Sequence, residues 1–328
     1  MRRRRLADLA IAVVTVTTAA ACGTSTPASP GSDASGSAGT QTTHVKVGVI
    51  PIVDVAPLYL GEKKGFFRNQ GIELTMESAQ GGAAIVPGVV SGQFQFGFSN
   101  VTSLMIAQGK GVPVEAVVNG ATSTSKVGAD VTGVTVKKAS PVKSAKDLAG
   151  KTVAVNTLQN IGDTTLRESV RKDGGDASKV QFVEMPFDQM PAALDGGQVD
   201  AAWMAEPFLT IAKSQGGRVV ASPFAETAPN LTIAAYFTST KLATQNPGLI
   251  KNFTEAMTKS LTYADQHPDE VRQVLSTYTK IPSQLTNSLT LPRWPATINM
   301  RSVKVLASLG EKDGIFGGKK PDLEALFR

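Results

Sequence analysis

Cysteine and histidine are scarce in this chain of 328 residues, which contains one cysteine, Cys22, and two histidines. A lone cysteine cannot form an internal disulfide and supplies at most one metal ligand. His44 and His267 are far apart in the sequence, and both are expected at the surface. This scarcity excludes a cysteine or histidine cluster, so we predict no metal centre, no cofactor and no histidine-based acid–base catalysis.

Basic charge is also scarce once the N-terminus is set aside. The full chain has a formal net charge of +6, but residues 2–5 are four consecutive arginines. Without residues 1–21, 29 basic and 26 acidic residues remain, which leaves a charge near +3 and no basic stripe. We therefore predict that nucleic acid is not a partner.

The arginines open what is typical of a secretory signal. They precede an apolar stretch, residues 6–21, which ends in three alanines. A basic start, a short apolar run and small residues at its end indicate a signal peptide. The run has only 16 residues and contains Asp8, whereas a membrane span needs about 20 apolar residues. We predict that residues 1–21 are removed after export.

Cys22 follows the three alanines directly, at the position of the attachment cysteine of a bacterial lipoprotein. Such signals usually carry leucine three residues before the cysteine, and here Ala19 stands there. The alternative is a fully secreted protein with an incidental cysteine. Paired arginines also leave the twin-arginine export route open. We predict that Cys22 is lipidated and holds the protein on the extracytoplasmic face of the cell membrane.

Residues 22–43 read as a flexible tether. From position 23 onward this segment consists of Gly, Ser, Thr, Pro, Ala and Gln, with Asp33 as the only charge. It has no aromatic or large aliphatic side chain, so burial cannot offset the entropy of ordering it. Random-coil scaling gives a mean reach of about 25 Å, enough for a globular body to move above a membrane.

Beyond the tether, strand-like and helix-like segments alternate, which predicts parallel crossovers and open α/β sheets. Residues 93–98 alternate polar and apolar side chains as a half-buried strand does. Pro87-Gly88 is expected to interrupt or bend a helix over residues 83–91. Asn246-Pro247 opens a long amphipathic helix, with Asn at the cap and Pro in the first turn. The other predicted strands are residues 45–50, 72–76, 114–118, 131–136, 151–155, 180–185, 201–204, 218–221 and 232–237.

Several ordered motifs in residues 45–328 resemble a known family. They are KVGVIPIVDVAPLYLGEKKGFF at 46–67, GIEL at 71–74, DLAGKTVAV at 147–155, ALDGGQVDA at 193–201 and EPF at 206–208. In this order they resemble the solute-binding proteins of ABC transporters for nitrate, taurine, alkanesulfonates and the thiamin pyrimidine precursor.

The resemblance implies a two-lobed α/β fold, the type II periplasmic binding protein, with two hinge crossovers and a ligand cleft between the lobes. One lobe would comprise residues 45–122 and 225–328, and the inserted lobe residues 123–224. The expected function is to deliver a small organic solute, sulfonate- or nitrate-like or of the aminopyrimidine type, to an ABC permease and its ATPase. The family also implies a monomer that closes by a hinge motion.

Ligands of open α/β sheets sit beyond the carboxyl ends of strands, where loops enter helices. Helix N-termini at such positions favour anions, whereas a carboxylate from Asp54 would favour an amine or a heterocyclic N–H. The predicted ligand-binding residues occupy these loops in both lobes: Asp54, Val55, Gln80, Gly81, Ser99, Asn100, Asn156, Thr157, Asp163, Met204 and Glu206.

Each of these positions also has a structural interpretation. Asp54 can be a turn or capping residue, and Gln80 begins what can be an ordinary glycine-rich turn. Asn100 caps the following helix in either case. Asp163 can be an N-cap, and Glu206 suits the positive end of the next helix. Trp203 is more typical of a core than of a ligand platform.

Two other classes compete with a binding protein. A thiamin-pyrimidine synthase shares the resemblance, but it relies on histidine and a cysteine-rich iron motif that this chain lacks. The export signal also argues against biosynthesis in the cytosol. An exported sensor subunit on the same fold stays open.

Overall fold

The computed structural model describes residues 42–327. The predicted signal peptide, Cys22 and all but the last two residues of the predicted tether lie outside the described residues. Within the described part, ten strands form two sheets. The strands are β1 (Thr43–Val49), β2 (Ile72–Ser78), β3 (Phe96–Asn100), β4 (Val114–Thr122), β5 (Thr132–Val136), β6 (Thr152–Val155), β7 (Gln181–Glu184), β8 (Ala201–Ala205), β9 (Arg218–Ala221) and β10 (Thr232–Ser239).

The helices fill the connections between the strands and the C-terminal part of the chain. They are α1 (Ala56–Lys63), α2 (Gly82–Val90), α3 (Val101–Gly109), α4 (Ile161–Lys172), α5 (Met190–Gly196), α6 (Phe208–Ser214), α7 (Pro223–Thr227), α8 (Thr240–Gln245), α9 (Pro247–Gln266), α10 (Pro268–Leu275), α11 (Met300–Lys312) and α12 (Leu323–Leu326).

The first sheet has the strand order β2-β1-β3-β10-β4, and we call the part of the molecule built on it lobe I. β1 is parallel to β2 and β3. In β1, Val45, Val47 and Val49 are buried while Lys46 is exposed, so the alternating pattern turns one face to the core. Helices α1 and α9 pack on each other at this lobe.

The second sheet has the order β7-β6-β8-β5-β9 and forms lobe II. β6 is parallel to β7 and β8, whereas β5 is antiparallel to β8 and β9. In lobe I, β10 is likewise antiparallel to β3 and β4. Both sheets are therefore mixed. The predicted parallel pairing is present between β1 and its two neighbours and between β6 and its two neighbours, while β5 and β10 are antiparallel to theirs. The α/β class and the two-lobed architecture are confirmed.

The structure differs from the sequence predictions of local structure at two places. The predicted helix is present as α2, from Gly82 to Val90, with Pro87 inside it, so the proline does not interrupt the helix, and the bend stays a prediction. β3 begins at Phe96, three residues later than the predicted strand. Gln95 instead makes two hydrogen bonds to the backbone of Lys46 in β1. Its N–H donates to the Lys46 carbonyl, and its Oε1 accepts from the Lys46 N–H. The alternation that predicted a strand at 93–95 reflects these bonds and the burial of Phe94.

Two connections cross between the sheets, one from β4 to β5 and one from α7 to β10. The first is braced by Asp130, whose Oδ2 accepts from the Ser123 hydroxyl (2.6 Å) and whose Oδ1 accepts from the Thr124 N–H (2.9 Å). The two connections are also bonded to each other. The Ser123 N–H donates to the Leu231 carbonyl (2.9 Å), and the Asn230 N–H donates to the Ser125 hydroxyl (2.6 Å). These hydrogen bonds join the two connections into one unit, which we call the cross-linked ribbon.

Close packing of α1 on α9 depends on Gly61. A Cβ placed there would lie 1.8 Å from Ser260 Oγ, whereas one at Gly196 meets nothing within 4 Å. We expect Gly61→Ala to lower the free energy of unfolding by about 1–3 kcal/mol through overpacking, and Gly196→Ala to leave it unchanged or slightly raised. Urea unfolding of both variants measures this. Adding Ser260→Gly should restore much of the loss, and a Gly61→Ala protein as stable as the wild type would contradict the packing argument.

Candidate ligand-binding cleft between the lobes

A cleft with a volume of about 730 Å³ opens between lobe I and lobe II. Its walls come from the carboxyl ends of β1, β2, β7 and β8 and from the segment after α10, as expected for a ligand site of an α/β protein. The volume suits a small organic molecule. The lining residues are Ile50, Pro51, Ile52, Ser78, Ala79, Gln80, Phe187, Asp188, Pro191, Ala192, Pro207, Phe208, Ile211, Gln215, Tyr278, Thr279, Lys280 and Ile281.

Aromatic rings face the cleft from both lobes. In lobe II, the rings of Phe187 and Phe208 are near parallel, with centroids 5.9 Å apart. In lobe I, Tyr278 stacks on Tyr59 with a centroid distance of 3.9 Å, and its hydroxyl donates to the Ile52 carbonyl (3.1 Å). Flat, apolar walls of this kind favour a flat or largely apolar solute.

Gln80 is the predicted site residue that lines this cleft. Gly81 lies beside it and meets the loop of lobe II that carries Asn156 and Thr157. A Cβ added at Gly81 would be 2.9 Å from Thr157 Oγ1 and 3.2 Å from Asn156 Nδ2. The structure therefore brings three of the predicted residues together at one edge of the two lobes.

Further contacts hold the lobes against each other. The Asn160 amide donates to the Ser103 hydroxyl (2.8 Å), which joins the starts of α4 and α3. The Arg171 guanidinium donates to Asp313 (2.7 Å), which joins α4 to the end of α11. Partial burial acts to lower the pKa of Arg171, but the hydrogen bonds and charges of Asp313 and Glu168 outweigh it and raise that pKa. The two lobes are therefore in direct contact at these two places.

The first turns of α3 and α4 are occupied by the protein's own side chains. Asn100 Oδ1 accepts from the Ser103 N–H (2.8 Å). The Asp163 carboxylate accepts from the N–H groups of Gln159 (2.7 Å) and Asn160 (2.5 Å) in a capping box. Burial raises the pKa of Asp163, partly opposed by these bonds. The helix ends that were expected to favour an anionic ligand already hold an internal carboxylate or an amide oxygen.

Glu206 is fully buried and is used by its own neighbourhood. Its carboxylate accepts from the Thr210 N–H (3.0 Å), the Thr210 hydroxyl (2.7 Å) and the Thr290 N–H (3.2 Å). Its carbonyl accepts from the Val53 N–H of lobe I (3.1 Å). Burial raises the pKa of the Glu206 carboxyl. Val55, Ser99 and Met204 are also buried and do not line the cleft.

Among residues 42–327, Asp54 is the one acidic residue with a buried carboxylate oxygen that lacks a hydrogen-bond partner. Its side chain is buried, and Oδ2 has no hydrogen-bond partner. Its carbonyl accepts from Trp294 Nε1 (3.1 Å), which fixes the backbone. Burial raises the pKa of the Asp54 carboxyl from 3.8 to about 7, with smaller contributions from the charges of Asp130 and Glu206. A buried carboxylate oxygen without a donor is costly, so the carboxyl keeps its proton to a higher pH, although a backbone hydrogen bond at Asp54 acts in the opposite direction.

Sequence reasoning missed the aromatic residues of the cleft, Phe187, Phe208 and Tyr278, and also Tyr59, which stacks on Tyr278. The chain has only four tyrosines, and their scarcity was the available signal. Tyr59 and Tyr278 are far apart in the sequence and meet because α10 packs on α1. That contact follows from tertiary packing and leaves no local pattern.

Residues 52–271, well over half of the chain, match the family model described as "NMT1/THI5 like". The chain belongs to this family. The matched range spans both sheets and includes the loops that form most of the cleft.

Two curated proteins are similar over most of the chain. A putative aliphatic sulfonates-binding protein of Bacillus subtilis is 21% identical over 72% of this chain and 70% of its own length. A riboflavin-binding protein of Chloroflexus aurantiacus is 25% identical over 70% of this chain and 64% of its own length. This chain therefore spans slightly less than two thirds of the second relative.

Solved structures share the fold at low sequence identity. The ligand-binding component of an ABC-type import system from Staphylococcus aureus has a TM-score of 0.76, at 16% identity over 88% of this chain and 97% of that one. The aliphatic sulphonate-binding protein of Escherichia coli has a TM-score of 0.70, at 18% identity over 87% and 97%. The nitrate-binding protein of Synechocystis has a TM-score of 0.72, at 15% identity over 87% and 84%.

Two features are absent from residues 42–327, a membrane-spanning helix and a cluster of metal ligands. None of the helices in that range combines the length and the apolar character needed to cross a bilayer. The same residues contain no group of three or more His, Cys, Asp or Glu side chains placed to hold a metal ion.

Proposed function

We propose that this protein is the solute-binding component of an ABC importer and that it holds a small organic solute in the cleft between its two lobes. The observation that carries the proposal is the cleft itself, formed at the carboxyl ends of strands from both lobes of an NMT1/THI5-like chain. The Staphylococcus aureus structure, matched over 97% of its length, is the ligand-binding component of an ABC-type import system, and the Escherichia coli and Bacillus subtilis relatives are named as sulfonate-binding proteins. The protein does not transform its solute.

The charges around the cleft favour a neutral or cationic solute over a sulfonate or nitrate. Lys280 is the one basic side chain among the lining residues, and Asp188 is there to oppose it. Asp163 fills the helix N-terminus where an anion would bind. An anionic solute would also approach the unpaired carboxyl of Asp54. The relatives named for sulfonates and nitrate therefore support the fold and the solute-binding function, but not the identity of the ligand. The ligand of this chain is an uncharged or protonated, flat molecule.

Residues 45–122 and 225–328 make up one lobe in this proposal, and residues 123–224 the other. Residues 1–21 direct export, and residues 22–43 tether the lobes to lipid on Cys22. A lipid-labelling experiment in a bacterial host tests the anchor. The wild type should incorporate fatty acid and sediment with membranes, whereas Cys22→Ala should do neither. A wild-type protein free in the medium would contradict it.

The substrate class can be tested by a thermal-shift screen of the exported protein. The panel contains amino-substituted heterocycles, flavins, taurine, alkanesulfonates and nitrate. A ligand at 100 times its Kd stabilises the folded state by about 2.7 kcal/mol, so heterocycles should raise the melting temperature and the anions should not. Preference for a sulfonate or nitrate would overturn the charge argument. Turnover of a bound solute would overturn the binding-protein function in favour of an enzyme.

A sensor subunit is the remaining alternative on this fold. Transport and sensing are separated by uptake: deletion of the gene should abolish import of the identified solute, and the Cys22→Ala protein should restore it poorly because it leaves the membrane. Normal uptake in the deletion strain would favour the sensor.

A further inference from the structure

An ion pair joins the two lobes at the ends of two helices. The guanidinium of Arg171, in α4 of lobe II, donates to the Asp313 carboxylate, with Nη1 and Oδ1 2.7 Å apart. Asp313 ends α11, a helix that packs on α3 and β10 and therefore belongs to lobe I. The Arg171 side chain is 22% exposed and that of Asp313 is 7% exposed. The pair is thus largely shielded from water, so loss of one partner leaves the other with little solvent to replace it.

Arg171 is oriented by its own helix. Its Nε donates to Glu168 Oε2 (3.0 Å), one turn earlier in α4. Because a guanidinium is planar and rigid, this bond fixes the direction of the remaining N–H groups, two of which face Asp313. An arginine that is already oriented loses less side-chain freedom when the lobes come together. The pairing with lobe I is therefore prepared within lobe II.

Asp313 is unfavourably placed without this partner. It lies at the C-terminus of α11, where the helix dipole disfavours a carboxylate, and its side chain is nearly buried. Among residues 42–327, Arg171 is the one basic residue with a side-chain nitrogen within 4 Å of the Asp313 carboxylate. Contact with lobe II therefore offsets an electrostatic cost that Asp313 carries in lobe I alone.

The pair lies far from the cross-linked ribbon. α11 begins beside the ribbon, where the Asn299 side-chain amide donates to the Asn230 carbonyl (2.9 Å), and Asp313 follows its last turn. A helix rises about 1.5 Å per residue, so the two ends of α11 are about 20 Å apart. A hinge rotation of about 15° at the ribbon moves a point at that distance by up to about 5 Å. Such a movement is enough to separate two groups that are 2.7 Å apart.

We propose that Arg171 and Asp313 form an interlobe latch, which holds the lobes together before any solute is bound and breaks when they separate. Asn160 and Ser103 make a second contact between the lobes, but that contact is neutral. The latch therefore makes closure of the empty protein depend on salt, because ions screen a charged pair whose side chains are partly exposed. It goes beyond the proposed function, since it assigns a conformational role to two charges that do not line the cleft.

A distance measured between the lobes of the empty protein tests the latch. Spin labels are placed by Ser214→Cys in lobe II and Ser283→Cys in lobe I, both exposed, in a Cys22→Ala background of the exported protein. We expect double electron–electron resonance to show mainly short distances when the latch is intact. Asp313→Asn should raise the ratio of long to short distances by about 5-fold or more. Raising NaCl from about 0.1 M to about 1 M should act in the same direction.

Glu311→Gln is the matched control, because it removes an acid from the same helix whose ion pair, with Lys320 (2.7 Å), stays within lobe I. Its distances should equal those of the protein with the intact latch. Arg171→Met should shift the distances as Asp313→Asn does. The double variant should shift them no further than either single variant, because all three lose the same interaction.

Distances that do not change in Asp313→Asn would overturn the latch and show that α4 and α11 stay in contact in every position of the lobes. Mainly long distances in the empty protein with Arg171 and Asp313 intact would overturn it too. If a variant fails to fold, as its circular dichroism would show, the salt titration of the labelled protein decides alone. The measurement needs no solute, so its failure leaves the binding function to the solute panel.

Discussion

Asp54→Asn is expected to stabilise the empty protein by roughly 2–4 kcal/mol at pH 8, although it removes a charge from the proposed site. The reason is the pKa of about 7 that burial imposes on this carboxyl, against 3.8 in an unstructured chain. The folded state holds the proton more tightly than the unfolded state. The stability associated with the neutral acid is therefore present below pH 3.8 and is lost as the pH rises through 7. An amide keeps the neutral form at every pH.

Urea unfolding between pH 5 and pH 8.5 measures this effect. The wild type should lose stability over that range, and Asp54→Asn should lose less. Some pH dependence should remain in the variant, because burial also raises the pKa of Asp163 and Glu206. Asp195→Asn, a change at an exposed aspartate, serves as the control and should follow the wild type. Identical pH profiles for the wild type and Asp54→Asn would show that Asp54 is paired in solution.

Gly81→Leu is expected to weaken binding of any cleft solute by about 10–100-fold, because a side chain there cannot fit once the lobes meet. A Cβ alone would already lie 2.9 Å from Thr157 Oγ1. The backbone of Gly81 is extended, with φ at −172°, so leucine can adopt it without strain. The open state is then unaffected while the closed state is disfavoured, and the apparent affinity falls with the closed population.

Calorimetry with a ligand from the solute panel and small-angle X-ray scattering measure the two sides of this prediction. Gly81→Leu should bind weakly and keep a larger radius of gyration at saturating ligand. Gly196→Leu places the same side chain where nothing lies within 4 Å and should behave as the wild type. A Gly81→Leu protein with normal affinity would mean that the solute is held without contact between these two loops.

Local sequence patterns predicted much of the fold. Alternating valines predicted β1, and Asn246-Pro247 predicted the start of α9, where the Asn246 side chain does accept from the Leu249 N–H. The antiparallel placement of β10 between β3 and β4 was out of reach, because pairing between distant segments has no signature in any one of them. Pro87 was expected to interrupt or bend its helix, and α2 continues through it, which the local sequence could not decide.

The site was harder to predict than the fold. Some of its loops could be predicted, because each follows the carboxyl end of a strand and such loops lie at the same edge of a sheet. They are the loops that carry Gln80, Gly81, Asn156 and Thr157. Asp163 has the same sequence pattern whether it caps a helix or faces a ligand, and the structure has it capping α4. Its role toward a ligand stays a prediction. Asp54 is bonded through its carbonyl to Trp294, which is far along the chain, so no local pattern could reveal the surroundings of its carboxyl.

The cross-linked ribbon between the sheets limits how the two lobes can move. Its segments are bonded at Ser123 to Leu231 and at Ser125 to Asn230, so neither can lengthen or slip past the other. Two connections joined in this way bend far more readily than they slide along each other. We therefore expect the lobes to open by a rotation about one axis, and a membrane partner that touches both lobes would receive a single signal, the angle between them, whatever the chemical detail of the captured solute.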